Sequence, residues 1–325
     1  MTQNITIGVD LGGTKIAGAV WNASAQAVTH RKTIPTQGQL GPDGVIERIA
    51  GLVRDLSRDA DIEVNQLSGV GVGVPATFDA ENGIIWLLPN LPGEWYGKPI
   101  IADLRKLLDC PLHLVNDARA FTLAEAAIGA GKGAASCVGI TLGTGIGGGI
   151  AINGRLYLGL TGAAGEFGHH SIDLYGTPDG SGNPGGWEGM ASGPAIAAMG
   201  MKVVAQGGST IIGKLVDQDL NRITPEIIAQ AADQGDKIAQ QILERAGFYL
   251  GSGIANVITM IAPERVVIGG GVAQLGEWIM KPIRETLKLR VHTVPLDQVQ
   301  IVPAALGADA GVIGAAIWAS QQGKM

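Results

Sequence analysis

Three glycine-rich turns and a few acids, amides and imidazoles are the groups in this chain able to do chemistry. The first turn is Asp10-Leu11-Gly12-Gly13-Thr14-Lys15, directly after an apolar run. A glycine pair at a strand end lets backbone N–H groups converge on an anion, and the Thr14 hydroxyl adds a donor. Asp10 is placed to hold a hydrated Mg2+. The same residues also read as a plain hairpin turn with a solvated aspartate. The second turn, Gly143-Thr144-Gly145 within Thr141 to Gly149, repeats the pattern. Two such hairpins can clamp β- and γ-phosphates from both sides; the plainer reading is one flexible hairpin. The third, Gly269-Gly270-Gly271 after Val266-Val267-Ile268, suits close approach of an adenosine, or simply tight helix–strand packing. None is a Walker A loop, since no GK[ST] is present, and none is a GxGxxG with a well-placed ribose acid.

Asn116-Asp117 stands at the end of a short apolar run with helical residues behind it. A carboxylate there can take a hydroxyl proton as general base, a common role in phosphoryl transfer. It is equally placed to be a helix N-cap. Glu166 and His169 lie three residues apart in an irregular segment, and Glu188 follows in Gly186-Trp187-Glu188-Gly189. Carboxylates and imidazole suit vicinal sugar hydroxyls, because both accept hydrogen bonds and imidazole also donates. His169 and His170 also read as ordinary surface histidines. Asn90, in Leu88-Pro89-Asn90-Leu91-Pro92, offers an amide, or only a Pro-rich turn.

The elements that must hold these groups are legible from periodicity. Ile5 to Val9, Ile16 to Trp21 and Ala27 to Ile34 read as a strand meander. Apolar residues at helical spacing from Val45 to Leu56 predict an amphipathic helix between Pro42 and Arg58. Leu67 to Val74 and Leu112 to Val115 are strands, with helices at Ile101 to Leu108 and from Ala118 to about Gly129. A second cycle starts with strands Cys137 to Leu142 and Gly147 to Ile152 and a turn at Asn153-Gly154-Arg155. Gly162 to Pro194 reads as one irregular excursion. Helices are expected at Pro194 to Ala205, Pro225 to Ala232 with Thr224 as cap, and Lys237 to Ile261. A strand at Arg265 to Ile268, a helix from the glycines to about Leu289, a strand at Gln298 to Val302 and a helix at Ala308 to Ser320 complete the chain. Two α/β halves, each with a glycine turn facing inward, would form a ligand cleft between them.

Composition sets the outer bounds. The 325 residues suggest about two domains. Glycine is over-represented at 51 residues, without a G-X-Y period, so collagen and linker readings fail. The net charge of −6 argues against nucleic-acid binding, which needs a basic footprint. Two cysteines, Cys110 and Cys137, can neither staple a secreted scaffold nor build a four-thiolate zinc site. The first residues lack the pattern of a signal peptide, and the apolar stretch 254–273 is broken by Pro263-Glu264-Arg265. A cytoplasmic protein without membrane partners is expected.

Taken in order, Asp10 to Lys15, Pro89-Asn90-Leu91, Asn116-Asp117, Gly143-Thr144-Gly145, Glu166-x-x-His169 and the glycines at 269–271 resemble the ROK family of sugar kinases and repressors, within the actin-like ATPase superfamily. The resemblance covers essentially the whole chain. It implies an α/β fold of two actin-like (ribonuclease H-like) ATPase domains with an interdomain cleft, residues 1–118 plus 306–325 against residues 119–305. It further implies an ATP-dependent kinase acting on the 6-hydroxyl of a hexose, glucose first, with Asp117 as catalytic base. The sugar positions would be Asn90, Asn116, Asp117, Glu166, His169 and Glu188. The phosphate and nucleotide positions would be Gly12, Gly13, Thr14, Lys15, Gly143, Thr144, Gly145, Gly270 and Gly271, with Asp10 holding Mg2+ through water. Partners would be the sugar, ATP and a second copy in a homodimer.

Many members carry a C-x-C-x4-C cluster after the histidine that binds zinc; residues 171–193 here contain no cysteine. The sequence therefore predicts no zinc site and leaves His169 free for sugar. It leaves open an N-acetylhexosamine, mannose or fructose as substrate and polyphosphate as donor. A transcriptional repressor would need a DNA-binding domain ahead of the first phosphate loop, which starts here at Asp10. A sugar-sensing regulator without catalysis is disfavoured by Asp117 and the two phosphate turns together.

Overall fold

The computed structural model describes residues 4–323. The chain opens with an antiparallel meander, β1 (Ile5–Leu11), β2 (Lys15–Asn22) and β3 (Ala27–Pro35). Helix α1 (Gly41–Asp59) buries Val45, Ile46, Ile49, Leu52, Val53 and Leu56, the stripe that the periodicity predicts. Strand β4 (Gly69–Val74) is buried at every position and pairs in parallel with β1, as a central strand covered on both faces must. A small hairpin follows, β5 (Thr77–Asp79) and β6 (Ile84–Leu87), which sequence periodicity does not announce. Asp79 ties its turn by accepting from the N–H groups of Glu81 and Asn82, and Gly83 supplies the positive φ of 65°. Helix α2 (Ile100–Arg105) and strand β7 (Leu112–Asn116) complete a sheet of order β3-β2-β1-β4-β7. Helix α3 (Asp117–Ala127) runs directly from β7.

The same order then recurs. Strands β8 (Ser136–Leu142), β9 (Ile146–Ile152) and β10 (Arg155–Leu156) are followed much later by β11 (Arg265–Gly269) and β12 (Gln300–Pro303), in the order β10-β9-β8-β11-β12. In both sheets a meander is extended by a parallel pair, and a glycine turn joins the meander's first two strands. Between β10 and β11 lie α4 (Trp187–Ala191), α5 (Gly193–Ala205), α6 (Ile212–Leu215), α7 (Pro225–Asp233) and α8 (Lys237–Ile261). Thr224 caps α7 by accepting from the Ile227 N–H, as expected. After β11 the expected helix begins late: a 3-10 turn at Val272–Leu275 ends at Gly276, φ 62°, and only then does α9 (Glu277–Arg290) start. The excursion at 162–194 is not wholly irregular, since it contains α4 and a 3-10 turn at Phe167–His169.

The chain ends in α10 (Ala310–Ser320), buried along nearly its whole length and packed on β1, β4 and α3. Among the described residues two compact units result, residues 4–139 with 149–165 and 304–323, and residues 140–148 with 166–303. Helix α3 thus falls in the first unit together with α10. Among the described residues no helix is long and apolar enough to cross a membrane.

Candidate active site

In the first unit the candidate groups sit at the ends of β1 and β7. Asp10, on β1, is paired across the sheet with Gly73 of β4. The start of α10 closes over its carboxylate: a β-carbon on Gly311 would stand 2.7 Å from Asp10 Oδ2. Burial pushes the Asp10 carboxyl up to about 6, and the Lys15 charge only partly opposes this. A half-buried carboxylate with so little compensation suits the water shell of a cation, so the donor chemistry fits Mg2+.

The turn after β1 differs from the expected nest in one respect. The Gly12 N–H donates to the Lys15 carbonyl at 3.0 Å and is spent inside the turn. Thr36 secures it from outside, its hydroxyl donating to the Gly12 carbonyl at 2.7 Å. Gly13, Thr14 and Lys15 form the exposed tip. Asn90 is placed beside this turn, since a β-carbon on Gly13 would lie 2.9 Å from the Asn90 carbonyl oxygen.

At the β7–α3 junction the helix cap is Asn116 rather than Asp117. Asn116 Oδ1 accepts from the N–H groups of Ala118 at 3.0 Å and Arg119 at 3.3 Å. Its Nδ2 donates to the Ala76 carbonyl at 3.4 Å. Asp117 is the first helical residue, partly buried, with Oδ1 accepting from the Ala118 N–H at 2.9 Å. The N-terminal end of a helix favours the ionised carboxylate, which is the form a base requires.

The second unit gathers the other candidates. At the turn after β8 the Gly143 N–H is again spent, here on Gly145 O at 2.9 Å, and Thr144 is the exposed tip. Glu188 Oε2 accepts from the Ile146 N–H at 2.9 Å, and Gly145 is a glycine because a β-carbon would meet that carboxylate. Glu188 is aimed by α4, whose Trp187 is fully buried and donates from Nε1 to Tyr249 O at 3.0 Å. Gly168 packs on the Ile146 carbonyl, which brings Glu166 and His169 to the same turn. His169 Nε2 lies 3.9 Å from Glu166 Oε2. His170 instead bonds the Phe167 carbonyl and packs against Trp187 with ring centroids 5.4 Å apart and planes tilted by 53°, a structural placement.

His169 is not free at both nitrogens, as its Nδ1 lies 2.9 Å from Asp179 Oδ2. Asp179, a residue the sequence reading did not single out for chemistry, holds the loop 171–193. Its Oδ1 accepts from Ser181 N, Ser181 Oγ and Asn183 N at 2.9, 2.6 and 3.0 Å. Burial pushes the carboxyl up, but the bonds from Ser181, His169 and Asn183 outweigh it and hold it at about 2. Its signal was the Asp-x-Ser-x-Asn spacing of a side-chain-capped turn. Among the described residues no cluster of three or more His, Cys, Asp or Glu could hold a metal ion. Gly270, with φ 94°, has a packing reason of its own, since a β-carbon would stand 2.3 Å from Leu142 O. Gly271 has open space beside it.

Two sheets of one strand order, each with a glycine turn after its first strand, define an α/β actin-like ATPase fold. The ROK family model matches residues 6–322, and the chain belongs to that family. A glucokinase of Thermotoga maritima is 34% identical over 310 residues, 95% of each chain. Among solved structures, a ROK hexokinase from Thermus thermophilus superposes with TM-score 0.85 at 30% identity, covering 98% of each chain. A ROK family glucokinase from Streptomyces griseus, in complex with glucose and AMPPNP, gives TM-score 0.80 at 32% identity over 98% of this chain and 99% of that one.

Proposed function

We propose that the protein is an ATP-dependent hexose kinase that phosphorylates the 6-hydroxyl of glucose. The observation that carries this reading is the β7–α3 junction. Asn116 caps the helix, so the neighbouring Asp117 carboxylate is not required for that task. Asp117 takes the proton of the sugar 6-hydroxyl as that oxygen attacks the γ-phosphorus, and the bond from the γ-phosphorus to the β,γ-bridging oxygen breaks to release ADP. Glu166, His169 and Glu188 orient the sugar hydroxyls, and Asn90 and Asn116 are the further sugar positions that the family resemblance implies. The tips Gly13–Thr14–Lys15 and Thr144–Gly145 would bind the donor phosphates, with Gly12 and Gly143 shaping the turns, and Gly270 and Gly271 would admit the nucleoside. Mg2+, held through water by Asp10, would neutralise charge on the transferring group.

Such a reaction belongs in the cytoplasm, where ATP is supplied, and the homodimer expected from the family resemblance belongs to the same proposal. The test is a coupled ADP-release assay across glucose, mannose, fructose, N-acetylglucosamine and N-acetylmannosamine, repeated with polyphosphate in place of ATP and a sugar-phosphate readout. Glucose with ATP should give the highest kcat/KM. ADP release with none of the sugars would end the kinase reading; preference for another sugar or for polyphosphate would correct the substrate or donor alone.

A further inference from the structure

Asp179 lies behind His169 with its side chain sealed from solvent, while the His169 side chain is 41% exposed. The three donors on Asp179 Oδ1 come from Ser181 and Asn183, and Oδ2 faces His169 Nδ1 at 2.9 Å. Asn183 closes the arrangement by donating from Nδ2 to the His169 carbonyl at 2.6 Å. A carboxylate so surrounded is ionised, and an ionised carboxylate only accepts. The hydrogen between the two side chains therefore belongs to His169 Nδ1. A neutral ring then carries its lone pair on Nε2, the nitrogen nearer Glu166.

We propose that Asp179 is a positioning residue for sugar recognition, fixing His169 as the Nδ1–H tautomer so that Nε2 and the Glu166 carboxylate together accept hydrogen bonds from two hydroxyls of the sugar. This rests on the kinase reading above. It assigns Asp179 more than a loop-clamping role, because a clamp would not care which ring nitrogen carries the hydrogen. The charged groups facing His169 are Asp179, Glu188 and Glu166. Burial alone would lower the imidazolium pKa, but these three acids outweigh it and raise it. Since the neutral ring is the accepting form, sugar binding should tighten as pH rises through the His169 titration.

The test combines substitution with spectroscopy. Asp179→Asn keeps an oxygen for Ser181 and Asn183 but turns an amide N–H toward His169, which drives the ring hydrogen to Nε2. The variant should raise the sugar KM about tenfold or more, the loss of one well-placed hydrogen bond to a charged or polar partner, with kcat within about twofold. Two-bond 1H–15N correlation spectra, with His169 assigned by His169→Gln, should show the Nδ1–H tautomer in the wild type and the Nε2–H tautomer in the variant. A wild-type ring protonated on Nε2, or a flipped tautomer with an unchanged sugar KM, would overturn the positioning role. Should Asp179→Asn fail to fold, the wild-type spectrum and the pH profile of the sugar KM decide alone. The spectrum is recorded without sugar, so a protein that turns over no hexose fails the kinase reading and the sugar role, whereas a wrong tautomer fails the positioning role only.

Discussion

At the scale of single residues, the division of labour between Asn116 and Asp117 makes a sharp expectation. Asp117→Asn keeps the cap and the packing but removes the base, so kcat should fall by about 100-fold or more while the sugar KM changes little. Wild-type turnover in that variant would place the base elsewhere. Glu188 behaves differently, because its carboxylate also holds the Ile146 N–H beside the Gly143–Gly145 turn. Glu188→Ala should therefore raise the KM for ATP as well as for sugar, each about tenfold, the effect of leaving a part-buried N–H without its charged acceptor. An unchanged KM for ATP would show that the turn keeps its shape without that bond. The candidate acids, amides and turns were legible in the sequence by type and order. Asp179 was legible only as a turn residue, through its Asp-x-Ser-x-Asn spacing, because its contact with His169 leaves no periodic trace.

At the scale of elements, the pH response of the loop 171–193 follows from two opposite shifts. Asp179 is held at about 2, below its ordinary 3.8, so its contribution is complete above pH 4 and is lost as pH falls toward 2. His169 is raised, so its contribution is complete below its ordinary 6.5 and is lost as pH rises through its shifted value. The stability gap between wild type and Asp179→Asn should thus be widest from about pH 4 to 6.5 and close on the acid side. Urea unfolding of both proteins across that range reads the gap, and a gap that persists at pH 2 would contradict the assignment. The long helices and central strands were readable because burial imposes a period on them, as in α1, or a continuous apolar run, as in β4. Helix α4 was not readable. Its Trp-Glu-Gly-Met-Ala segment is too short for periodicity, and it is fixed by the buried Trp187 and the Tyr249 carbonyl, more than fifty positions away. The β5–β6 hairpin did carry an Asn82-Gly83 turn signal, but its Ile-Ile-Trp-Leu strand lacks alternation.

For the whole molecule, the return of α10 to the first sheet is the organising contact. Its backbone reaches the sheet so closely that a β-carbon on Gly71 would stand 1.8 Å from the Ala315 carbonyl oxygen. Gly71→Ala should cost about 3 kcal/mol in chemical unfolding, the upper range for overpacking a tight core. A change below about 0.5 kcal/mol, the scale of a tolerated surface substitution, would mean that helix and sheet do not meet this way. The same return depends on Glu125 of α3, fully buried, whose carboxylate accepts from the N–H groups of Ala305 at 3.0 Å and Leu306 at 2.8 Å. Those two donors lie 180 and 181 positions after Glu125 in the chain. A nascent chain therefore holds Glu125 with the Ala130 N–H, 2.8 Å from Oε2, long before the Ala305 and Leu306 donors emerge. The first unit is therefore closed only by residues far downstream of its sheet, and a premature stop ahead of Ala305 would release that sheet without the helix α10 that covers it.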